Sequence, residues 1–131
     1  MKRGQKGIEI REAHFPGRAP MDAYGNGGFR FADMSHEGSL ISLPSGIYGW
    51  NVATPDDLIA SAFDTVFAEE QTIEVFLLGT GLDLVPVRPE VRVRFREHGI
   101  QIDSMNTGAA VRTFNVMLAE SRAVAAGFLA V

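Results

Sequence analysis

Two stretches of this chain hold residue types whose spacing could bind a ligand. Ile73-Glu74-Val75-Phe76-Leu77-Leu78 is an apolar run of strand length that halts at Gly79-Thr80-Gly81, which reads as a strand buried on both faces followed by a tight turn. Asn106-Thr107-Gly108-Ala109-Ala110-Val111-Arg112 offers capping side chains, then small residues that let backbone N–H groups approach an anion, then a guanidinium to complement it. In an open α/β sheet, ligands gather outside the carboxyl ends of the strands. If 73–78 and 100–105 are adjacent parallel strands, the Gly79–Gly81 turn lies beside the N-terminus of a helix over 107–121. Arg112, with Asn115 three residues later, then faces the opening. The candidate ligand-binding set is Gly79, Thr80, Gly81, Asn106, Thr107, Gly108, Arg112 and Asn115, and the expected ligand is a small anion. The structural alternative is that Asn106 or Thr107 caps the helix and Arg112 pairs with a local carboxylate.

Other chemistries find little support. The chain has no cysteine, which excludes thiolate nucleophiles, disulfides and cysteine-ligated zinc or iron–sulfur centres. His14, His36 and His98 are scattered, with no pair at metal-ligand spacing. Gly-Xaa-Ser-Xaa-Gly is absent, and the turn most like a nucleophile elbow carries Thr80 between its glycines. That turn also lacks the third glycine of a dinucleotide fingerprint and the lysine of a phosphate loop. Tyr24-Gly25-Asn26-Gly27-Gly28-Phe29 is read as a β-turn and not a phosphate cradle, because no helix pattern follows it. No catalytic residue, metal or cofactor is assigned.

The elements that would position these residues follow from periodicity. Residues 1–7 are expected to fray and 8–53 to form an antiparallel β meander, with strands at Ile8–Ile10, Phe29–Phe31, Ser39–Leu43 and Ile47–Trp50 and a turn over Asp33–Gly38. Thr54, Pro55 and Asp57 mark a helix start, and Leu58, Ile59, Ala62, Phe63, Val66 and Phe67 give it one apolar stripe. Membrane docking of that stripe is disfavoured by Asp57, Asp64, Glu69 and Glu70. Val91-Arg92-Val93-Arg94-Phe95-Arg96 alternates as a strand would, yet parallel neighbours need a crossover. With Pro89 at its start and Gly99 at its stop, 89–98 is predicted to be helical. A last strand is expected over Val124–Leu129.

The expected fold is therefore α/β: a three-layer single domain over 1–131, with a central mixed, largely parallel sheet, helices on it and an added N-terminal antiparallel β meander. Residues 54–131 supply a helix and then a β-α-β-α-β part. At 131 residues the chain can bury about two-thirds of its unfolded surface. A formal net charge of −4 argues against nucleic acid or an anionic membrane surface as partner. Arg88, Arg92, Arg94 and Arg96 are diluted by Asp83, Glu90 and Glu97 and read as a solvated face. No signal-peptide pattern and no apolar run of about 20 residues is present. The expected location is cytoplasmic, without membrane insertion.

Tyr24 to Phe29, Trp50, Leu78 to Gly81 and Met105 to Asn115 resemble, in register, the small domain family of unknown function that includes mitochondrial respiratory complex I assembly factor 3. The resemblance covers nearly the whole chain. It implies a three-layer α/β domain and action through protein contacts, with no assigned reaction. Many relatives carry aspartate, cysteine and tyrosine where this chain has Asn106, Val111 and Phe114, which weakens any catalysis needing a carboxylate, thiol or phenol there. Two readings stand. The first is a non-enzymatic interaction or assembly protein with a protein partner. The second is a small-anion or enzymatic site at Gly79–Gly81 and the N-terminus of helix 107–121. The sequence leaves a homo-oligomer open.

Overall fold

The computed structural model describes residues 9–10 and 13–131. The expected fraying of 1–7 lies outside them. The central sheet has six strands in the order β2 (His14–Pro16), β7 (Gly46–Gly49), β6 (Leu40–Leu43), β10 (Val124–Phe128), β8 (Val75–Gly79) and β9 (Gln101–Met105). β10, β8 and β9 pair in parallel and the other three pairings are antiparallel, so the sheet is mixed as expected but less parallel than expected, because β6, β7 and β2 of the meander join it.

The expected meander divides between two sheets. β6, β7 and β2 extend the central sheet, while β3 (Ala23–Gly25), β4 (Gly28–Phe31) and β5 (Met34–Glu37) form a second sheet to which β1 (Glu9–Ile10) adds in parallel. The hairpin turn between β3 and β4 is where the glycines predict it, with Asn26 at φ 53° and Gly27 at φ 78°. The turn expected over 33–38 is instead a reversal at Ala32 and Asp33, then strand β5, then Gly38. Met34–Glu37 pairs there with β4, and His36 finds partners for both ring nitrogens. Nδ1 accepts from the Ala13 N–H at 2.8 Å and Nε2 donates to the Ser39 carbonyl at 3.0 Å, which fixes the Nε2–H tautomer.

The segment predicted as one helix from residue 54 is broken. Residues Pro55–Asp57 and Ala60–Phe63 are 3-10 turns, with extended Ile59 between them, and only α1 (Asp64–Phe67) is α-helical. Two carbonyls that a continuous helix would pair internally are taken by side chains. Arg94 donates to the Ala60 carbonyl at 2.9 Å and the Trp50 indole N–H to that of Ala62 at 3.0 Å. The stripe still works inward: Leu58, Phe63, Val66 and Phe67 are buried, whereas Ile59 is exposed.

Residues 89–98 fold as the crossover argument requires, as α2 (Pro89–Glu97), ended by Gly99 at φ 72°. The helix turns Val91 and Phe95, one turn apart, into the core and leaves Val93 43% exposed. A strand would have put all three on one face. α3 (Thr107–Ala119) crosses from β9 to β10.

Three layers result. On one face of the central sheet, Phe76, Leu78, Ile102 and Ala125 meet Phe63, Phe67, Val91 and Phe95 of α1, α2 and the turn before α1. On the other, Leu77, Ala126 and Phe128 meet Ala110, Val111 and Phe114 of α3 and Phe29, Phe31 and Met34 of the second sheet. The period-2 alternation of Phe76, Leu77 and Leu78 thus feeds both cores. No helix among the described residues is long and apolar enough to cross a membrane.

Candidate functional site

The carboxyl ends of β8 and β9 do meet the N-terminus of α3. Gly79 pairs with Met105 across the parallel ladder, and β10 brings Phe128 to the other side of Gly79. The approach is close: a Cβ on Gly79 would stand 3.0 Å from Thr107 Cα and 3.2 Å from Ala110 Cβ. Glycine is needed here for contact with the helix, whereas Gly81 is needed for its φ of 108°.

Two buried threonines hold the junction. The Thr80 hydroxyl donates to the Asp83 carbonyl at 2.7 Å and accepts from the Val85 N–H at 3.0 Å. The Thr107 hydroxyl donates to the Leu129 carbonyl at 2.8 Å and accepts from the Gly81 N–H at 3.0 Å. The Thr107 N–H is in turn held by the Gly81 carbonyl at 2.8 Å. Asn106 is the N-cap, its Oδ1 accepting from the Ala109 N–H at 2.8 Å. The expected neighbours Gly79, Thr80, Gly81, Asn106 and Thr107 are therefore together, and their side-chain polar groups are engaged with nearby backbone.

Gly108 and Arg112 lie on the outer side of this junction. The Tyr24 hydroxyl of β3 sits against Gly108, occupying the place a side chain would need, and Arg112 Nη1 lies 3.4 Å from that same place. Arg112 is exposed, and among the described residues it makes no ion pair. Asn115 is directed elsewhere, with both ends of its amide on the backbone of Met21. Among the described residues, neither threonine hydroxyl is bonded to a histidine or carboxylate that could take its proton, so they form no activated nucleophile at the junction. No group of three or more histidine, aspartate or glutamate side chains is placed to hold a metal among the described residues.

A second concavity, of about 440 Å³, opens on the opposite face of the sheet between β6–β7 and residues 61–69. Ile41 and Leu43 line it together with Tyr48, Trp50, Asp64 and Glu69. Glu69 closes one end by accepting from the Ser45 N–H at 3.0 Å and the Ser45 hydroxyl at 2.5 Å, and that hydroxyl also bonds Tyr48 at 2.7 Å. Sequence reasoning missed this bay, because it forms between β6–β7 and residues 61–69, segments that only tertiary packing brings together. The available signal was the pair of aromatic residues, Tyr48 in β7 and Trp50 just beyond it.

A family model described as a protein of unknown function (DUF498/DUF598) matches residues 21–129. An uncharacterised protein of Rhodobacter capsulatus is 33% identical over 91% of this chain and 90% of its own length. The NADH dehydrogenase [ubiquinone] 1 alpha subcomplex assembly factor 3 of mouse is 28% identical over 93% of this chain. The chain spans only 66% of that mouse protein. Among solved structures, one described as an outer membrane protein from Bartonella henselae has a TM-score of 0.86 at 58% identity, covering 89% of this chain and 98% of that one.

Proposed function

From the premise that this chain belongs to the DUF498/DUF598 family of proteins of unknown function, we propose that it is a non-enzymatic protein-interaction domain that assists assembly of a respiratory NADH dehydrogenase. The observation that carries this reading is the state of the β8–α3 junction. Where an α/β sheet would expose groups to a substrate, the Thr80 and Thr107 hydroxyls are spent on Asp83, Val85, Gly81 and Leu129. The mouse relative, an NADH dehydrogenase assembly factor, supplies the client class. A cytoplasmic location belongs to the same proposal and is checked by cell fractionation.

The test is binding of the purified chain to individually purified NADH dehydrogenase subunits from its own source, followed by light scattering. One subunit is expected to form a complex of defined stoichiometry, and deletion of the gene is expected to leave assembly intermediates of the dehydrogenase. Absence of both effects would end the assembly reading. The free chain run alone in the same experiment establishes whether it self-associates.

Exposed Arg112 beside Gly108 favours a second reading, in which the outer side of the α3 N-terminus takes a small anion or an acidic partner side chain. Backbone NMR of wild type and Arg112→Ala, titrated with small carboxylates and phosphates, tests it. Shifts at Thr80, Thr107 and Gly108 in wild type that vanish in the variant are expected. Equal, negligible shifts in both would leave Arg112 on the surface without a ligand.

A further inference from the structure

The bay between β6–β7 and the 61–69 segment shares no residue with the β8–α3 junction. At about 440 Å³ it has the size of a site for a small organic group. Its floor is apolar, from Ile41 and Leu43, and its walls include the rings of Tyr48 and Trp50. Both rings are fixed before any ligand arrives. The Tyr48 hydroxyl is bonded to Ser45 at 2.7 Å, and the Trp50 indole is bonded to Ala62 at 3.0 Å and set edge-on against Phe63, with ring centroids 5.6 Å apart. Such fixed walls reduce the ordering cost of binding.

The charge of the lining has one sign. Asp64 and Glu69 line the bay, and among the described residues no lysine, arginine or histidine does. Asp64 Oδ1 is paired with Arg94 from outside the bay at 2.7 Å, and Glu69 accepts two bonds from Ser45. An ionised carboxylate can accept about four bonds, so both retain acceptor capacity.

We propose that this bay binds an alkylammonium group, that is, a primary or methylated ammonium carried on an apolar stem. The stem covers Ile41 and Leu43, while the aromatic walls and the two carboxylates favour a cation over an anion or neutral group of the same shape. The group comes either from a free amine or from a lysine side chain of another protein. The proposal does not depend on the assembly reading.

Trp50 is the chain's one tryptophan, so its fluorescence reports on the bay directly. The full chain is titrated at matched ionic strength with hexylammonium, hexanol, hexanoate and N-acetyl-lysine methylamide, with backbone NMR in parallel. Hexylammonium is expected to bind saturably, shifting Tyr48, Trp50 and Thr65, and about threefold or more tighter than hexanol, the size of an exposed ion pair. Hexanoate is expected to bind more weakly than either. Asp64→Asn narrows the gap between hexylammonium and hexanol. Ala68→Phe, at an exposed position of the lining, blocks every probe while leaving the unfolding transition cooperative. Tighter binding of the lysine probe than of hexylammonium supports a polypeptide source, and the reverse a free amine. The proposal is overturned if hexanoate matches hexylammonium, if binding survives Ala68→Phe, or if no probe gives a saturable change.

Discussion

Asn115, in the middle of α3, holds the backbone of Met21 at both ends: its Oδ1 accepts from the Met21 N–H at 2.9 Å and its Nδ2 donates to the Met21 carbonyl at 2.8 Å. The amide acts as a one-residue strand partner, tying the segment before β3 to a helix far along the chain. Asn115→Asp keeps the shape but replaces the donor with an acceptor, so the Met21 carbonyl then faces a carboxylate. A loss of about 1–3 kcal/mol is expected, from an unsatisfied polar group. Urea denaturation checks it, and an unchanged midpoint would mean that this clasp does not persist in solution.

Thr107 gives a sharper comparison, because its hydroxyl serves both the Gly81 N–H and the Leu129 carbonyl while its methyl group is wholly buried. Thr107→Ser keeps both bonds and loses a methyl group, at about 1 kcal/mol. Thr107→Val keeps the volume and strands two polar groups, at about 1–3 kcal/mol for each one left unsatisfied. The expected order of stability is Thr, then Ser, then Val. A valine variant as stable as the serine variant would show that packing, and not the hydroxyl bridge, holds the junction.

What the sequence shows of this fold is what local pattern and topology can express. The apolar run ending at Gly79 locates β8, and the need for a crossover identifies α2 although Val91, Val93 and Phe95 alternate. Long-range side-chain bonds decide the rest. Met34–Glu37 pairs with β4 and is tied to Ala13 and Ser39 through His36, and the helix expected from residue 54 breaks at Leu58 and Ile59, just before two carbonyls bonded by Arg94 and Trp50. The β8–α3 junction was legible because parallel β topology places it. Asn115 was misdirected because its partner, Met21, lies 94 residues away. The bay forms between β6–β7 and residues 61–69, which only tertiary packing brings together, so Tyr48 and Trp50 were its sole local hint.

Phe63 is fully buried and lies edge-on to three rings, with centroid distances of 5.6 Å to Trp50, 5.8 Å to Phe76 and 5.3 Å to Phe95. It joins the broken 54–67 segment to both the sheet and α2. Phe63→Ala should cost about 3–5 kcal/mol by leaving a cavity among side chains already fixed. Chemical denaturation reads this directly. A loss under about 1 kcal/mol would mean that the segment packs elsewhere.

Asp57 sets the pH dependence of the first turn after β7. Its Oδ2 accepts from the Ala53 N–H at 2.9 Å and the Thr54 N–H at 3.1 Å. These two bonds, Ala53 first, hold its carboxyl below the ordinary carboxylate range, with desolvation a smaller opposing cause. Because the folded-state pKa is the lower one, the unfolded chain takes up the proton first as pH falls. The stabilisation is therefore fully present above the unfolded value, about 4, and is lost as pH falls through the folded value. In Asp57→Asn the side-chain oxygen still accepts but no longer titrates. Melting temperatures of wild type and Asp57→Asn should differ at neutral pH, with wild type the higher, and converge as the solution is made strongly acidic. Two curves that stay parallel across that range would show that Asp57 is held equally in the unfolded chain.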